Sequence, residues 1–295
     1  MMTHRMTRRR FLHALGAGAL AGGAVGGYAF GVEPVLRLIV KRWRISHPHW
    51  RAGLGPLRIA CLADLHAVTP WMPPTRIRAI VEKTLALKPD LIVLLGDYVD
   101  GVRRFRTGLV PVAEWSAALG RLKAPLGVFA VLGNHDWWLD VEAVKAGLNA
   151  ADIRVLENEA VPIGQGNARF WLAGLGDQLA HPLPGGGYRG ADDLPGTLAQ
   201  AGSDDPIILL AHEPDIFVRV PDRVTLTLCG HTHGGQVRLP FLGRPVIPSA
   251  YGQRFAYGHI VEEGRHLVVS AGLGVSVLPV RFMAPPEITL VTLTA

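Results

Sequence analysis

The sequence predicts one layered α/β or α+β domain, and two observations lead to this prediction. From residue 57 onward, short apolar runs alternate with segments whose apolar residues recur at helical spacing. The composition is 49% apolar and 18% charged, with 35 Gly and 22 Pro among 295 residues. These values are typical of a compact, loop-rich domain and exclude a disordered or coiled-coil chain.

Three segments show the helical spacing, and their apolar stripes predict helices that pack on the core. Pro89 ends the first helix, and Asp140 is the predicted N-cap of the third. The stripes are Ile77, Ile80, Val81 and Leu85; Val112, Trp115, Leu119 and Leu122; and Val141, Val144 and Leu148.

Five apolar runs predict buried strands, and each run leads into side chains that carry ligand atoms. Ligands of sheet-based α/β domains bind beyond the carboxyl ends of the strands, so five such clusters can converge on one point. The runs with their clusters are 57–63 with Asp64-Leu65-His66, 91–95 with Gly96-Asp97-Tyr98-Val99-Asp100, 128–132 with Gly133-Asn134-His135-Asp136, 207–211 with His212-Glu213, and 224–229 with Gly230-His231-Thr232-His233-Gly234-Gly235.

Charge and cysteine content narrow the class of protein further. The formal net charge is +6, but much of the basic excess lies near the N-terminus, so no nucleic-acid partner is expected. Cys61 and Cys229 stand in apolar runs, which predicts buried free thiols and excludes a disulfide framework.

The N-terminus is predicted to be a signal or anchor segment, residues 1–33, that is not part of the fold. Arg8 and Arg9 precede Phe11-Leu12 and an uncharged Gly/Ala-rich stretch, which resembles a twin-arginine export signal apart from His13. An ordinary basic region with a short membrane anchor is the alternative. Both interpretations place the domain outside the cytoplasmic membrane, at its outer face or in the periplasm, and the first makes the twin-arginine export machinery a partner.

Residues 34–56 are predicted to be a membrane-proximal strand or linker before the domain at 57–295. Residues 35–44 mix aliphatic, basic and indole side chains. This mixture fits a segment at the membrane interface, where Trp lies at headgroup level and basic side chains contact lipid phosphate. It fits equally well the first strand of the domain with a basic outer face.

The five clusters, in this order and each after a strand, resemble the motifs of the calcineurin-like metallophosphoesterases. Gly234-Gly235-Gln236 and residues 281–287 are similar to the membrane-associated bacterial subgroup that hydrolyses phosphodiester or pyrophosphate bonds. The resemblance implies a four-layer αββα sandwich of two mixed β-sheets flanked by helices, with the metal site at the carboxyl ends of the strands.

The resemblance also implies two divalent metal ions that share one aspartate. The first would be held by Asp64, His66, Asp97 and His233, and the second by Asp97, Asn134, His212 and His231. Oxygen and imidazole ligands without thiolate suit Mn, Fe, Zn, Co or Ni, and we favour Mn. Two such ions, about 3.5–4 Å apart, share a water and lower its pKa, so that a metal-bridging hydroxide attacks the phosphorus.

By the same resemblance, His135 is the general acid that protonates the leaving oxygen, and Asp100 is the carboxylate that orients it. A purely hydrogen-bonding role for His135 is the alternative. Asp136 and Glu213 are interpreted either as partners that fix histidine tautomers or as residues of a surface turn or helix cap.

Two sister classes are disfavoured by single positions. Asp100 stands where purple acid phosphatases have a tyrosine ligand, and Gly101 stands where the protein phosphatases of this superfamily have an arginine.

Substrate contacts are less well indicated than metal ligands. Guanidinium groups match phosphate geometry, so several arginines are candidates, although most are expected to be solvated. Trp137 and Trp138 are interpreted either as a stacking surface for substrate or as packing against the following helix. The candidate arginines are Arg103, Arg104, Arg106, Arg238, Arg254 and Arg281.

The sequence thus predicts hydrolysis of a phosphodiester or pyrophosphate bond in a lipid or cell-envelope substrate at a membrane surface. One alternative is a nuclease or cyclic-nucleotide phosphodiesterase. Another is a non-catalytic metal-binding envelope protein, but such a protein would have less need of an acid at His135.

Overall fold

The computed structural model describes residues 7–99, 108–202 and 204–295. The strands in these residues are β1 (Ile39–Ser46), β2 (Leu57–Leu62), β3 (Val68–Thr69), β4 (Leu91–Leu95), β5 (Gly108–Leu109), β6 (Val128–Val131), β7 (Arg154–Val155), β8 (Glu159–Ile163), β9 (Phe170–Gly174), β10 (His181–Pro182), β11 (Tyr188–Arg189), β12 (Ile207–Leu210), β13 (Val224–Cys229), β14 (Gly258–Glu262), β15 (Arg265–Val269) and β16 (Glu287–Thr294). The α-helices in these residues are α1 (Arg8–Gly27), α2 (Glu33–Leu36), α3 (Pro74–Ala86), α4 (Val112–Leu119), α5 (Asn134–Leu139), α6 (Val141–Ala150) and α7 (Leu194–Ala199).

Short irregular helices connect some of these elements. A π-helical turn, Tyr28–Val32, joins α1 to α2, and 3₁₀ turns are Ala52–Leu54, Gly166–Ala168, Pro214–Arg219, His233–Gly235 and Gly252–Phe255.

Two six-stranded mixed sheets form the centre of the molecule. The first has the order β1-β16-β2-β4-β6-β7, in which β16 runs antiparallel to β2 and the other neighbours are parallel. The second has the order β14-β15-β13-β12-β9-β8, with antiparallel pairs at its two edges. Parallel central strands in both sheets bring their carboxyl ends to the same side.

The alternation of side chains along each strand creates three apolar layers. In β4, Ile92 and Leu94 face α3, α4 and α6, whereas Val93 and Leu95 pack against β12 and β13 of the second sheet. The outer face of the second sheet packs against α7 and the Pro214–Arg219 turn. The predicted four-layer αββα sandwich is therefore confirmed.

The sequence located the main elements well. The five apolar runs form β2, β4, β6, β12 and β13, and the three stripes lie on α3, α4 and α6, except that Leu122 follows the end of α4. Asp140 accepts a hydrogen bond from the Ala143 amide at 3.0 Å, which confirms the predicted N-cap. Cys61 and Cys229 are buried free thiols, as predicted.

The N-terminal region contributes a helix and an edge strand, and the end of the predicted segment 1–33 packs on the domain, because the Glu33 carboxylate is buried and accepts hydrogen bonds from the Met283 and Ala284 amides. Within the described residues, Phe11–Leu36 is the one helix long and apolar enough to cross a membrane, a test that a signal sequence also meets. Residues 39–46, for which the sequence left two interpretations open, form β1 and pair in parallel with β16.

Candidate metal centre

All seven predicted metal ligands lie beyond the carboxyl ends of five central strands, three in the first sheet and two in the second. Asp64 and His66 follow β2, Asp97 follows β4, Asn134 begins α5 after β6, His212 follows β12, and His231 and His233 follow β13. All seven are buried. The structure therefore brings together at one point residues that are as much as 169 positions apart in the chain, from Asp64 to His233.

Asp97 stands between two groups of ligand atoms. One group is Asp64, His66, Asp97 and His233, and the other contains Asp97, His212 and His231. The same oxygen, Asp97 Oδ2, lies 3.4 Å from His66 Nε2 and 3.3 Å from His212 Nε2. One carboxylate oxygen is thus within reach of both groups, as a bridging ligand requires.

Asn134 joins the second group. Its Oδ1 lies 3.1 Å from His231 Nδ1, which is also 3.3 Å from His212 Nε2. His212 Nδ1 lies 2.6 Å from the Leu95 carbonyl oxygen, which can only accept, so the Nδ1 proton is fixed there and Nε2 is directed toward Asp97.

The backbone at the site is strained. Five of the seven residues have φ in the left-handed region, a conformation that costs side-chain-bearing residues of order 1–3 kcal/mol each. They are Asp64 (53°), His66 (43°), Asp97 (60°), His231 (67°) and His233 (53°). Such clustered strain is typical of functional sites.

The ligand atoms that converge at the site fit cations. Asp64 Oδ2 is buried with no hydrogen-bond partner in the described residues. His66 Nε2 and His233 Nε2 face each other at 3.0 Å. A buried carboxylate oxygen and imidazole nitrogens that converge on one another suit divalent cations, which imidazole and carboxylate bind well.

The protonation preferences follow from burial and neighbouring charges. Burial raises the pKa of Asp64 to about 7. Burial also opposes ionisation of Asp97, but the His212 and His135 imidazoles outweigh it and hold the Asp97 pKa well below its ordinary value. Burial and the neighbouring His66 ring lower the pKa of His233, so its imidazole is neutral. An ionised Asp97 and a neutral His233 are the forms that bind metals.

Glycine is required where the ligand loops cross. A Cβ on Gly133 would lie against Asp97 Oδ1 and 2.6 Å from the Asp97 amide nitrogen. Gly96 has a φ of 91°, and its Cβ would lie 2.7 Å from His212 Nδ1. At Gly133, whose φ is −113°, close approach of the two loops and not a left-handed backbone is the reason for glycine.

His135 lies beside the ligands without belonging to either group. Its ring makes an edge-to-face contact with His66, with centroids 4.9 Å apart, and its backbone amide donates to Asp97 Oδ1 at 2.9 Å. Ser276 Oγ lies 3.3 Å from His135 Nε2. Asp100, the predicted orienting carboxylate, lies outside the described residues, and its role stays a prediction.

Asp136 ties two ligand loops together. Its carboxylate accepts hydrogen bonds from the amides of Asp97, Tyr98 and Gly133 at 2.8–2.9 Å, and Val99 N lies 3.3 Å away. Through the bond to the Gly133 amide it also caps the start of α5, where the N-cap residue is a glycine with no side chain. Of the two interpretations, the helix cap is therefore right and the histidine partner is not. Asp136 also positions the backbone of the ligand loops.

Asp177 and Glu213 form a further pair of carboxyl groups close to His212. The sequence analysis named Glu213 but not Asp177. Asp177 and Glu213 are buried, and together with His212 they form a third group of closely spaced ligand atoms. Burial and then the Glu213 charge raise the pKa of Asp177. Gly176-Asp177 follows β9 after one residue, and Gly96-Asp97 follows β4 directly, so a Gly-Asp pair near the end of a strand was a signal that could have found Asp177.

The candidate arginines differ in burial and in their partners. Arg281 is fully buried and donates to the carbonyls of Gly274, Ala271 and Ala284, while its Nη2 lies 3.4 Å from His233 Nδ1. It therefore braces the site and is not free to hold substrate. Arg254 pairs with Glu262 through two contacts of 2.7 Å. Arg238 is exposed, and Arg103, Arg104 and Arg106 lie outside the described residues.

Trp137 and Trp138 lie in different surroundings, the first in the core and the second at a pocket. Trp137 packs on the helix-side core, under the Lys145 ammonium group. Trp138 stacks on Tyr188, with centroids 5.3 Å apart, and both line a pocket of about 840 Å³ that opens over Asp97, Asn134, His231 and His233.

This chain is similar in sequence to known metallophosphoesterases. The family model for calcineurin-like phosphoesterases matches residues 57–235. The chain is 33% identical to the metallophosphoesterase YkuE of Bacillus subtilis, covering 98% of both chains. It is also 33% identical to the phosphodiesterase YaeI of Escherichia coli, covering 98% of this chain and 99% of that protein.

A relative from Danio rerio is similar over a shorter region. It is named a transmembrane protein with a metallophosphoesterase domain, and it is 32% identical over 82% of this chain and 54% of its own length.

The chain belongs to the calcineurin-like phosphoesterase family. It is a metallophosphoesterase, a hydrolase that acts on phosphoric ester bonds, and the family implies divalent metal ions at the buried ligand cluster.

Proposed function

We propose that the protein hydrolyses a phosphodiester or pyrophosphate bond, using two divalent metal ions, in a lipid or other cell-envelope substrate. One observation carries the proposal: the two ligand groups that share Asp97 open directly into a pocket of about 840 Å³ whose walls are mostly apolar. The buried ligands support the reaction class, and the pocket walls support the kind of substrate.

Each protein group would have a defined task. Asp64, His66, Asp97 and His233 would hold one cation, and Asp97, Asn134, His212 and His231 the other, in line with the two groups of atoms described above. When bound, the pair of cations supplies hydroxide near neutral pH and neutralises charge on the phosphoryl group. His135, which lines the pocket beside His66, would donate a proton to the leaving oxygen.

The shape and chemistry of the pocket favour a substrate with an apolar part. Its lining includes Trp138, Tyr188, Val246, Val277, Leu278 and Val280. A pocket of this volume accommodates a drug-sized group, larger than an isolated phosphate ester needs. An acyl or isoprenoid chain beside the phosphate would bury its surface here, at a gain of about 25 cal/mol per Å².

The N-terminal segment supports action at a membrane. Phe11–Leu36 has the length and composition of a membrane span, and the Danio rerio relative is named a transmembrane protein. We propose that Arg8 and Arg9 belong to a twin-arginine signal and that the domain acts on the outer face of the cytoplasmic membrane. Replacing both arginines by lysine should abolish export, and unchanged export of that variant would refute the signal.

The E. coli relative named a phosphodiesterase favours a diester over a monoester. Nuclease or cyclic-nucleotide activity fits less well, because the pocket presents apolar side chains where a polynucleotide would need a basic stripe. A non-catalytic metal-binding role leaves the presence of His135 in the pocket unexplained.

The test is hydrolysis of bis-p-nitrophenyl phosphate, followed by a screen of lipid extracts and nucleotide-sugar lipids, with purified protein loaded with Mn²⁺. Manganese is our proposal for the native metal, and parallel loading with Zn, Fe, Co or Ni checks it. Hydrolysis should require metal and disappear with a chelator. Protein that binds two metals yet hydrolyses neither soluble nor lipid diesters would favour the binding-protein alternative.

A further inference from the structure

Six exposed apolar side chains lie on two neighbouring loops. We refer to them as the apolar rim: Phe241, Leu242, Val246, Val277, Leu278 and Met283. Among the described residues after Leu36, the four most exposed large apolar side chains are all in this set, led by Phe241 at 108% and Leu242 at 76%. A concentrated apolar surface of this kind marks an interaction site, whereas single exposed apolar residues need no explanation.

The apolar rim is held in place by a network of backbone and side-chain hydrogen bonds. Leu239 and Gly243 exchange two backbone hydrogen bonds of 2.8 and 3.0 Å, which hold Phe241 at the tip of a closed turn. Gln236 joins the two loops, because its side chain accepts from the Ser276 amide and donates to the Ser276 carbonyl, both at 2.8 Å. The exposure of these side chains is therefore a feature of a braced structure.

The apolar rim also borders the pocket. Val246, Val277 and Leu278 line it directly, beside Gln236 and Ser276. The apolar surface thus continues from the outside of the molecule into the pocket that leads to Asp97.

The apolar N-terminal helix ends on the same loop. The Glu33 carboxylate is buried and accepts hydrogen bonds from the amides of Met283 and Ala284 at 3.1 and 2.7 Å. The Arg281 amide donates to the Ala29 carbonyl at 2.9 Å. The last turns of the helix are therefore fixed beside Met283, one member of the apolar rim.

The length of the helix places this junction at the membrane surface. The 26 residues of Phe11–Leu36 would extend roughly 39 Å at 1.5 Å per residue, against a hydrocarbon core of about 30 Å. The carboxyl-terminal turns would then lie at headgroup level. Tyr28 and Arg37, which hydrogen-bond at 2.9 Å, are residue types that anchor a helix at this level.

We propose that the apolar rim is a membrane-docking surface that inserts into the headgroup–acyl boundary and seats the pocket mouth on the bilayer. The lipid substrate would then enter sideways from the monolayer. This inference rests on the proposed function for the identity of the substrate, but docking itself does not depend on catalysis. The occupant is a lipid surface, because the attached helix is suited to a bilayer and the exposed Arg238 beside the turn is suited to lipid phosphate.

The test uses the full chain in vesicles of phosphatidylcholine and phosphatidylglycerol. Phe241→Cys is labelled with an environment-sensitive fluorophore, and Leu242→Cys provides a second position. Native Cys61 and Cys229 are buried and do not compete for the label. Val261→Cys is the matched control, since Val261 is 53% exposed on β14, outside the apolar rim.

A nitroxide attached to the lipid chain near the headgroup should remove roughly half of the emission at position 241 or 242 and little at 261, as expected for shallow insertion. Iodide in the water should have the opposite effect. Equal iodide quenching at all three positions, without nitroxide quenching, would overturn the proposal. So would a label at 241 that neither quencher reaches, which would indicate cover by protein, such as a second copy.

This measurement separates the two proposals. Lipid quenching at 241 in a protein that hydrolyses no diester would retain the docking surface and refute the proposed reaction. A protein active on soluble and lipid diesters whose label at 241 stays in water would retain the reaction and refute the docking surface.

Discussion

The metal centre and the apolar rim are built in opposite ways. The metal centre collects buried polar side chains from the ends of strands in both sheets, with strained backbone at five of seven ligands. The apolar rim collects exposed apolar side chains from two loops near the end of the chain. We infer from this difference that the two sheets determine the reaction class, whereas the loops around the pocket determine the substrate and the place in the cell where the protein acts.

The most damaging change to the metal centre should be Asp97→Asn. Asp97 Oδ2 lies within 3.4 Å of a histidine nitrogen in each ligand group, so loss of its charge weakens both. We expect activity to fall to background and metal content to fall, as measured by mass spectrometry of metals in purified protein. Lipid quenching at position 241 should persist, and its loss would mean that the two regions are not separable.

His135→Ala should remove the acid and leave the metals. We expect kcat to fall about 10²–10⁴-fold, the usual contribution of a general acid, with unchanged metal content. The loss should be smaller for substrates whose leaving group needs no proton, such as bis-p-nitrophenyl phosphate. His49→Ala, at an exposed position, is the control. Full activity of the His135 variant on a lipid substrate would eliminate the general-acid role.

Asp136→Asn should loosen the ligand loops. An amide presents donors where the carboxylate accepts three amide hydrogens at 2.8–2.9 Å, and loss of such supporting contacts typically costs 10–100-fold in metal affinity or activity. Asp140→Asn, four residues later at an exposed helix cap, should change metal affinity little, since asparagine caps as well as aspartate. The affinities of the two variants are compared by titrating metal-stripped protein with Mn²⁺. Equal metal affinities would contradict the role of Asp136 in holding the ligand loops.

Leu278→Ser should have the smallest effect and should act on selectivity. Leu278 lines the pocket but is half-exposed, so losing its contact with a lipid chain forfeits only part of the value for full burial, about 1 kcal/mol. The ratio of kcat/KM for a long-chain lipid diester to that for bis-p-nitrophenyl phosphate should therefore fall about fivefold. If the ratio equals that of the unmodified protein, the lipid chain does not bind against Leu278.

The same contrast explains what the sequence could predict. Local pattern sufficed for β2, β4, β6, β12 and β13 and for their polar ends, because hydrophobic runs and adjacent ligands are visible in a short window. The sequence did not reveal that Ser276 meets His135, since 141 positions separate them. Arg281 was a candidate for substrate phosphate, but its burial against backbone carbonyls depends on long-range packing that no local pattern records.

The apolar rim could not be predicted from the local sequence pattern, for a different reason. Phe241 and Leu242 resemble core residues in sequence, and only the closed Leu239–Gly243 turn leaves them in solvent. Their exposure is a property of the fold around them, as is the contact of the Glu33 carboxylate with the Met283 amide, 250 positions later in the chain.

The most direct test of the central claim is X-ray diffraction from crystals of Mn²⁺-loaded protein, with anomalous scattering recorded at the manganese edge. The account predicts two anomalous peaks, one inside the group of Asp64, His66 and His233 and one inside the group of Asn134, His212 and His231, with Asp97 in contact with both. A single peak, or peaks elsewhere in the molecule, would contradict a two-metal phosphoesterase centre at this point.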